Sequence, residues 1–244
     1  MFSTKLLVGQ ILKFDKSALK LEKCFSSYSI DLEKTVHKKK WFNKITESNK
    51  LEDLMVNFFK ENPTGKSRKQ SFIYLLIDPR VSQNLPKERP LLTDHETWKR
   101  FIPSIFYVGK GKCNRPHAHL YEALRSAHYG HETGNFVDSK SQRYSKTASR
   151  KMNKIFEIWN SGNGVVCLHA FHNILEAEAL TREAAIIEAL SLRSLTNLRA
   201  GNFHGPVKMW SNRCKRKLGA LILFKAMRIY LNEGESQLTP KDLI

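Results

Sequence analysis

Two short apolar runs constrain the chain more than any other feature. SFIYLLID, at residues 71–78, is stopped by Pro79 and is too short for a useful helix, so it predicts a buried strand. SIFYVGKG, at residues 104–111, follows Pro103 and ends in glycines, and it predicts a second strand lying antiparallel beside the first. Their connection is unusually long, polar and proline-punctuated, with a short helix expected at about 94–101. Arg115-Pro116 opens a helix, because proline suits the first helical position, and Leu120, Ala123, Leu124 and Ala127 form its apolar stripe. A second helix is expected at about 146–159.

Gly162 and Gly164 introduce VVCLHAF as a third strand. Asn173 with Glu176 reads as a capping pair for a long helix ending near residue 192. A turn, GNFHGP, precedes a basic amphipathic helix over about 212–231. This order predicts an α/β (α+β) fold, a small three-stranded mixed or antiparallel sheet flanked by helices. Upstream, residues 1–62 read as short helical segments, with Leu51, Leu54, Met55, Phe58 and Phe59 at helical spacing. The turn-forming, charged stretch ENPTGKSRK marks a boundary. The expected organisation is a basic, mostly helical N-terminal extension (1–68), a central domain (69–204) and a basic C-terminal helical extension packed on it (205–244).

With 41 Lys and Arg against 23 Asp and Glu, the net charge is +18. Positive charge spread over most of a chain is rewarded by phosphate neutralisation and counterion release, which points to nucleic acid. No apolar run approaches the length of a membrane span, so no membrane partner is expected. The four cysteines form no CxxC pair and fit a reducing, intracellular setting, in nucleus, cytoplasm or both. The opening residues make a poor secretory signal, and Asp15, Glu22 and the lack of arginine argue against a mitochondrial one. GKGK lacks the spacing of a phosphate-binding P-loop, so no nucleotide cofactor is expected. Cys113, His117, His119, His128 and His131 are dense in metal-ligand types, but their spacings match no standard zinc pattern.

Glu183 stands three, four and seven positions from Leu180, Ile187 and Leu190, so its carboxylate projects from an apolar stripe. Burying a carboxylate there requires a cation, a metal or good donors. A structural ion pair and a metal ligand both satisfy that need, and structural pairs are the commoner. Tyr74 and Tyr107 lie in the two strands, with Lys110, Arg115 and His119 beyond the second. Singly, a strand tyrosine or a lone histidine is more often a packing residue.

As an ordered set, these residues resemble the GIY-YIG nuclease superfamily. IYLL stands at the first tripeptide and FYVGKG at the second, with Arg115 and His119 on the following helix, Glu183 on a later one, and Asn197 in LTNLRAG. The likeness is closest to the animal ankyrin-repeat and LEM-domain-containing endonucleases, in YLLIDPR, FYVGKGKCNRPHAHLYEAL and TREAAIIEALSLRSLTN, and runs from about residue 71 to the C-terminus. Two departures stand out: the first tripeptide, Ile73, Tyr74, Leu75, has no leading glycine, and ankyrin and LEM regions are not among these residues.

The resemblance implies a metal-dependent endonuclease that hydrolyses DNA phosphodiesters, with branched DNA as a substrate of its relatives and DNA repair as the setting. It implies Mg²⁺ or Mn²⁺ on Glu183, and an attacking water oriented or deprotonated by Tyr74 and Tyr107. Lys110 and Arg115 would contact phosphate, His119 would carry a proton or bind phosphate, and Asn197 would hold the site together. Gly109, Lys110, Lys112, Arg115, Lys146, Arg150 and Lys151 are the expected DNA contacts. The competing reading is a non-catalytic nucleic-acid-binding module using its basic helices, with Glu183 as a structural acid. Joint presence of Tyr74, Tyr107, Arg115 and Glu183 favours the nuclease.

Overall fold

The computed structural model of the chain describes residues 28–63, 70–112, 115–132 and 149–244; the side chains of residues 115, 116 and 127–132 fall outside that description. Residues 1–27 and Lys146, the expected start of a helix, also lie outside the described residues. The described helices of more than two turns are α1 (Ile30–His37), α2 (Asn49–Glu61), α3 (Asp94–Ser104), α4 (Arg115–Glu132), α5 (Arg150–Asn160), α6 (Glu176–Leu190) and α7 (Asn212–Glu233). The strands are β1 (Ser71–Ile77), β2 (Ile105–Gly111), β3 (Val165–Ile174) and β4 (Gln237–Leu238).

The α+β class is as expected, and the sheet is antiparallel throughout, but it has four strands in the order β2-β1-β3-β4 rather than three. The fourth is a two-residue pairing of Gln237 and Leu238 with Val166 and Val165, too short to carry a period-two pattern. β1 pairs on both edges and is buried along its whole length, which explains why its sequence is apolar without alternation. The long β1–β2 connection holds α3, closed at its start by a reciprocal Thr93–Glu96 capping box and running to Ser104, three residues past expectation. Pro103 sits in its last turn.

The expected Asn173–Glu176 cap does not form. β3 continues to Ile174 through left-handed backbone at Phe171 and Asn173, and α6 starts after Leu175 with no side-chain cap. Asn173 tolerates that conformation better than most residues, so its side chain type served the strand rather than the helix. Glu176 turns instead to two lysines of β2 and the loop after it, as described below.

The sheet separates two cores. Ile73, Leu75, Ile77, Val108 and Leu168 face α6, and α7 packs over α6. Gly219 permits that approach, since a Cβ there would sit 2.8 Å from Ala189 Cβ and closer still to the Ala185 carbonyl. α7, expected as a basic amphipathic helix, is buried at most positions from Leu218 to Leu231, and Arg213 and Lys217 in its first two turns are exposed. Leu32, Val36, Phe42, Ile45, Met55 and Phe59, all upstream of residue 62, belong to this same core. Leu54, one of the residues at helical spacing, is 60% exposed.

The second core lies on the other face, where Phe72, Tyr74 and Leu76 meet Leu120 and Ala123 of α4 and Met152, Ile155 and Ile158 of α5. A charged cluster is buried where the helices of the larger core meet. Arg182 of α6 bonds Glu52 of α2 at 2.7 Å and Glu178 at 2.9 Å, and Glu52 also pairs with Lys225 of α7. Despite burial, which raises it, the Glu52 pKa is held below the usual carboxylate value by Arg182 and Lys225.

Candidate active site

Antiparallel pairing sets Tyr74 directly opposite Gly109, and the Tyr74 ring lies across the glycine. Only 1% of Tyr74 is exposed. Its hydroxyl is 2.9 Å from His119 Nε2, and His119 Nδ1 is 2.8 Å from Lys151 Nζ. A protonated lysine has only donors, so it donates to Nδ1, and the neutral imidazole then carries its proton on Nε2, aimed at the Tyr74 oxygen. Tyr107 completes the group: its ring centroid is 6.0 Å from that of Tyr74 and 5.2 Å from that of His119, with Lys151 Nζ over its face at 4.7 Å. Thus β1, β2, α4 and α5 each supply one side chain to a single constellation.

Lys151 stands in the first turn of α5 next to Arg150, with no acid in that turn. Cations there oppose the helix dipole, a local cost that local folding does not explain.

The other expected residues gather at the outer edge of β2, the terminal strand of the sheet. Alternate residues of that strand turn polar backbone outward, and each is met by a partner. Phe106 O accepts from Thr196 N and Oγ1, at 2.7 and 2.9 Å. Val108 N donates to Asn197 Oδ1 at 3.0 Å, while Val108 O accepts from Asn197 Nδ2 at 2.8 Å. Lys110 N donates to Glu183 Oε1 at 3.1 Å. The Asn197 amide therefore imitates a neighbouring strand, and Glu183 is tied through the backbone to the strand that carries Tyr107.

Glu183 is half-buried, and its neighbour Arg182 turns the other way into the charged cluster. The Lys110 ammonium pairs with Glu176, which also receives Lys112 at 2.8 Å; these hydrogen bonds hold the Glu176 carboxyl down at about 2. Lys110 is therefore engaged away from the tyrosines. Arg115 opens α4 by its backbone, its side chain lying outside the described residues, as does Lys146. Arg150 is exposed at the head of α5.

His119 and His117 do not share a site. His119 faces Tyr74, whereas His117 lies 5.8 Å, centroid to centroid, from His169 of β3, itself 6.1 Å from His172. Burial first, then His117 and His172, push the His169 pKa below its ordinary value. Among the described residues no group of three His, Cys, Asp or Glu side chains is arranged to hold a metal. A single half-buried carboxylate suits a hard divalent cation that takes its remaining ligands from water and phosphate.

Sequence reading missed the Lys151–His119 contact, the double role of Glu176 and the Arg182 cluster. The cations at the head of α5 and an arginine inside the apolar face of α6 were the available signals.

An antiparallel sheet with paired strand tyrosines, a following helix bearing histidine, and a carboxylate and an asparagine held on the strand edge define a GIY-YIG nuclease domain. Residues 71–244 match the LEM-3-like GIY-YIG domain, and the chain belongs to that family. It is 44% identical over 175 residues to the human ankyrin repeat and LEM domain-containing protein 1, covering 72% of this chain and 27% of the relative. The mouse protein of that name is 39% identical over 175 residues, covering 72% and 30%. A Caenorhabditis elegans homologue is 34% identical over 178 residues, covering 71% and 22%. The chain thus spans less than a third of the length of these relatives. No solved structure matches it. Among the described residues no helix is long and apolar enough to cross a membrane.

Proposed function

We propose that the chain hydrolyses DNA phosphodiester bonds with a divalent cation, Mg²⁺ or Mn²⁺, held at Glu183, leaving a 5′-phosphate and a 3′-hydroxyl. The observation that carries this reading is the Lys151–His119–Tyr74 relay beside Tyr107. A binding module has no need to bury a tyrosine hydroxyl at the end of an oriented imidazole.

In this reading the His119 Nε2 proton directed at the Tyr74 oxygen supports its phenolate form, which takes the proton that the attacking water gives up and returns to a neutral hydroxyl. Tyr107, under the Lys151 ammonium, is the orienting hydroxyl. The cation at Glu183 would supply charge neutralisation at the phosphate and the leaving oxygen. Gly109 leaves room for the Tyr74 ring and Asn197 holds β2 in register, so both act by position. Arg115 and Arg150 are the proposed phosphate contacts, joined by Lys112 and Lys110 where DNA competes with Glu176. Branched DNA is the proposed preferred substrate, DNA repair the proposed role and the nucleus the proposed site of action, as the resemblance to the ankyrin-repeat and LEM-domain-containing endonucleases implies.

The test is cleavage of end-labelled linear and branched DNA by the full chain, with Mg²⁺, Mn²⁺ or EDTA, comparing wild type with Glu183→Gln. Metal-dependent cutting that the variant loses while it still binds DNA is the expected result. Salt-sensitive binding by wild type with no cutting of any substrate would establish the non-catalytic module instead.

A further inference from the structure

A cavity of about 300 Å³ lies far from the tyrosines, among the helices that cover the opposite face of the sheet. Its walls are Trp41 and Ile45 from the segment between α1 and α2, Lys34 from α1, and Arg213, Lys217 and Ala220 from the first turns of α7. Trp41 is 37% exposed, with Lys34 Nζ 5.6 Å from its ring centroid. The acids on the rim are engaged: Asp31 is 3.6 Å from Arg216, and Glu47 is 3.8 Å from Lys44.

Arg213 and Lys217 are different. Both are exposed, and among the described residues neither has a carboxylate within 4.0 Å. They stand four apart on one helix face, where like charges repel, and Arg213 is in the first turn, where the helix dipole disfavours a cation. Folding gains nothing from that arrangement. An anion at the head of α7 would relieve both costs and would also meet the positive end of the helix.

We propose that this cavity is a second nucleic-acid contact, taking a nucleobase of single-stranded DNA against Trp41 and its flanking phosphates on Arg213 and Lys217. An aromatic face set among cations is the arrangement by which single strands are held without sequence preference, since every base offers a π-face. Duplex DNA keeps its bases stacked inside and cannot use Trp41. The inference rests on the nuclease reading for its partner, and it adds that the substrate is a DNA with a single-stranded portion.

The experiment measures binding of the full chain to a labelled oligothymidylate of about ten nucleotides, within the span such a groove occupies, and to a blunt duplex. Both are titrated in EDTA over a range of salt. Trp41→Ala is expected to weaken single-strand binding about tenfold, with Trp41→Phe close to wild type and duplex binding unchanged. Arg213→Glu with Lys217→Glu is expected to reduce the slope of log affinity against log salt by about 1.4, at about 0.7 per released phosphate contact. Thermal melting confirms that each variant is folded, and the exposed charge variants preserve the test should Trp41→Ala melt early.

Unchanged affinity and slope in every variant would overturn the proposal, as would equal losses for single strand and duplex, which denote nonspecific attraction. Cleavage of both linear and branched DNA with Mg²⁺ is assayed alongside. If wild type nicks nothing but the oligothymidylate results hold, the nuclease reading fails and this site stands.

Discussion

Gly109 lies across the strand pair from Tyr74 and directly beneath its ring, so the tyrosine reaches His119 only because residue 109 has no side chain. A Cβ there would sit 2.6 Å from Tyr74 Cε1. Gly109→Ala should therefore push the ring off His119 and cost about 1–3 kcal/mol of stability, the usual penalty for overpacking. Cleavage should fall well beyond what the small melting shift explains. A variant with wild-type turnover would show that Tyr74 need not sit there.

Lys151 fixes the His119 tautomer through Nδ1. In Lys151→Met the ring proton is no longer confined to Nε2, and turnover should drop about a hundredfold, the lower range for a general acid–base group. Lys151→Arg, still a donor, should recover part of it. Affinity measured in EDTA should change little; a loss confined to affinity would reduce Lys151 to a DNA contact.

Glu52 holds Arg182 inside the protein, their side chains 7% and 5% exposed. Glu52→Ala leaves a buried guanidinium short of one partner and should destabilise the fold by about 3–5 kcal/mol in urea unfolding. Replacing both at once, Glu52→Leu with Arg182→Met, should cost less than that single change. Additive losses would argue against a coupled pair.

His169 has its pKa lowered in the folded state, chiefly by burial, so the unfolded chain binds its proton first as pH falls. This group costs no stability above pH 6.5, the ordinary value; below it, stability declines until the folded-state pKa is reached. His95, also lowered by burial, adds in the same direction. The slope of unfolding free energy against pH just below 6.5 should be shallower in His169→Phe than in wild type. An identical slope would show that His169 titrates normally in the fold.

Much of the fold was legible because the period of apolar residues survives into structure. β1, β2 and the start of β3 fall where their runs fall, and α4 opens at Arg115-Pro116 as the sequence implies. The errors share a physical source. β4 has two residues, below any periodic signal, and α6 begins without the cap because Asn173 adopted a left-handed strand conformation.

Likewise, the sequence by itself determined which side chains were available to the site and in what order. Tyr74, Tyr107, His119, Glu183 and Asn197 are chemically distinctive and stand in or beside recognisable elements. Their division of labour was decided only in three dimensions. Strand register put Gly109 under Tyr74, helix packing brought Lys151 to His119, and the open edge of β2 drew Thr196, Asn197 and Glu183 to its backbone. Local sequence encodes periodicity over a few residues, whereas these contacts join positions separated by 32 to 90. Only the pairing of the sheet and the burial of its two faces specify them.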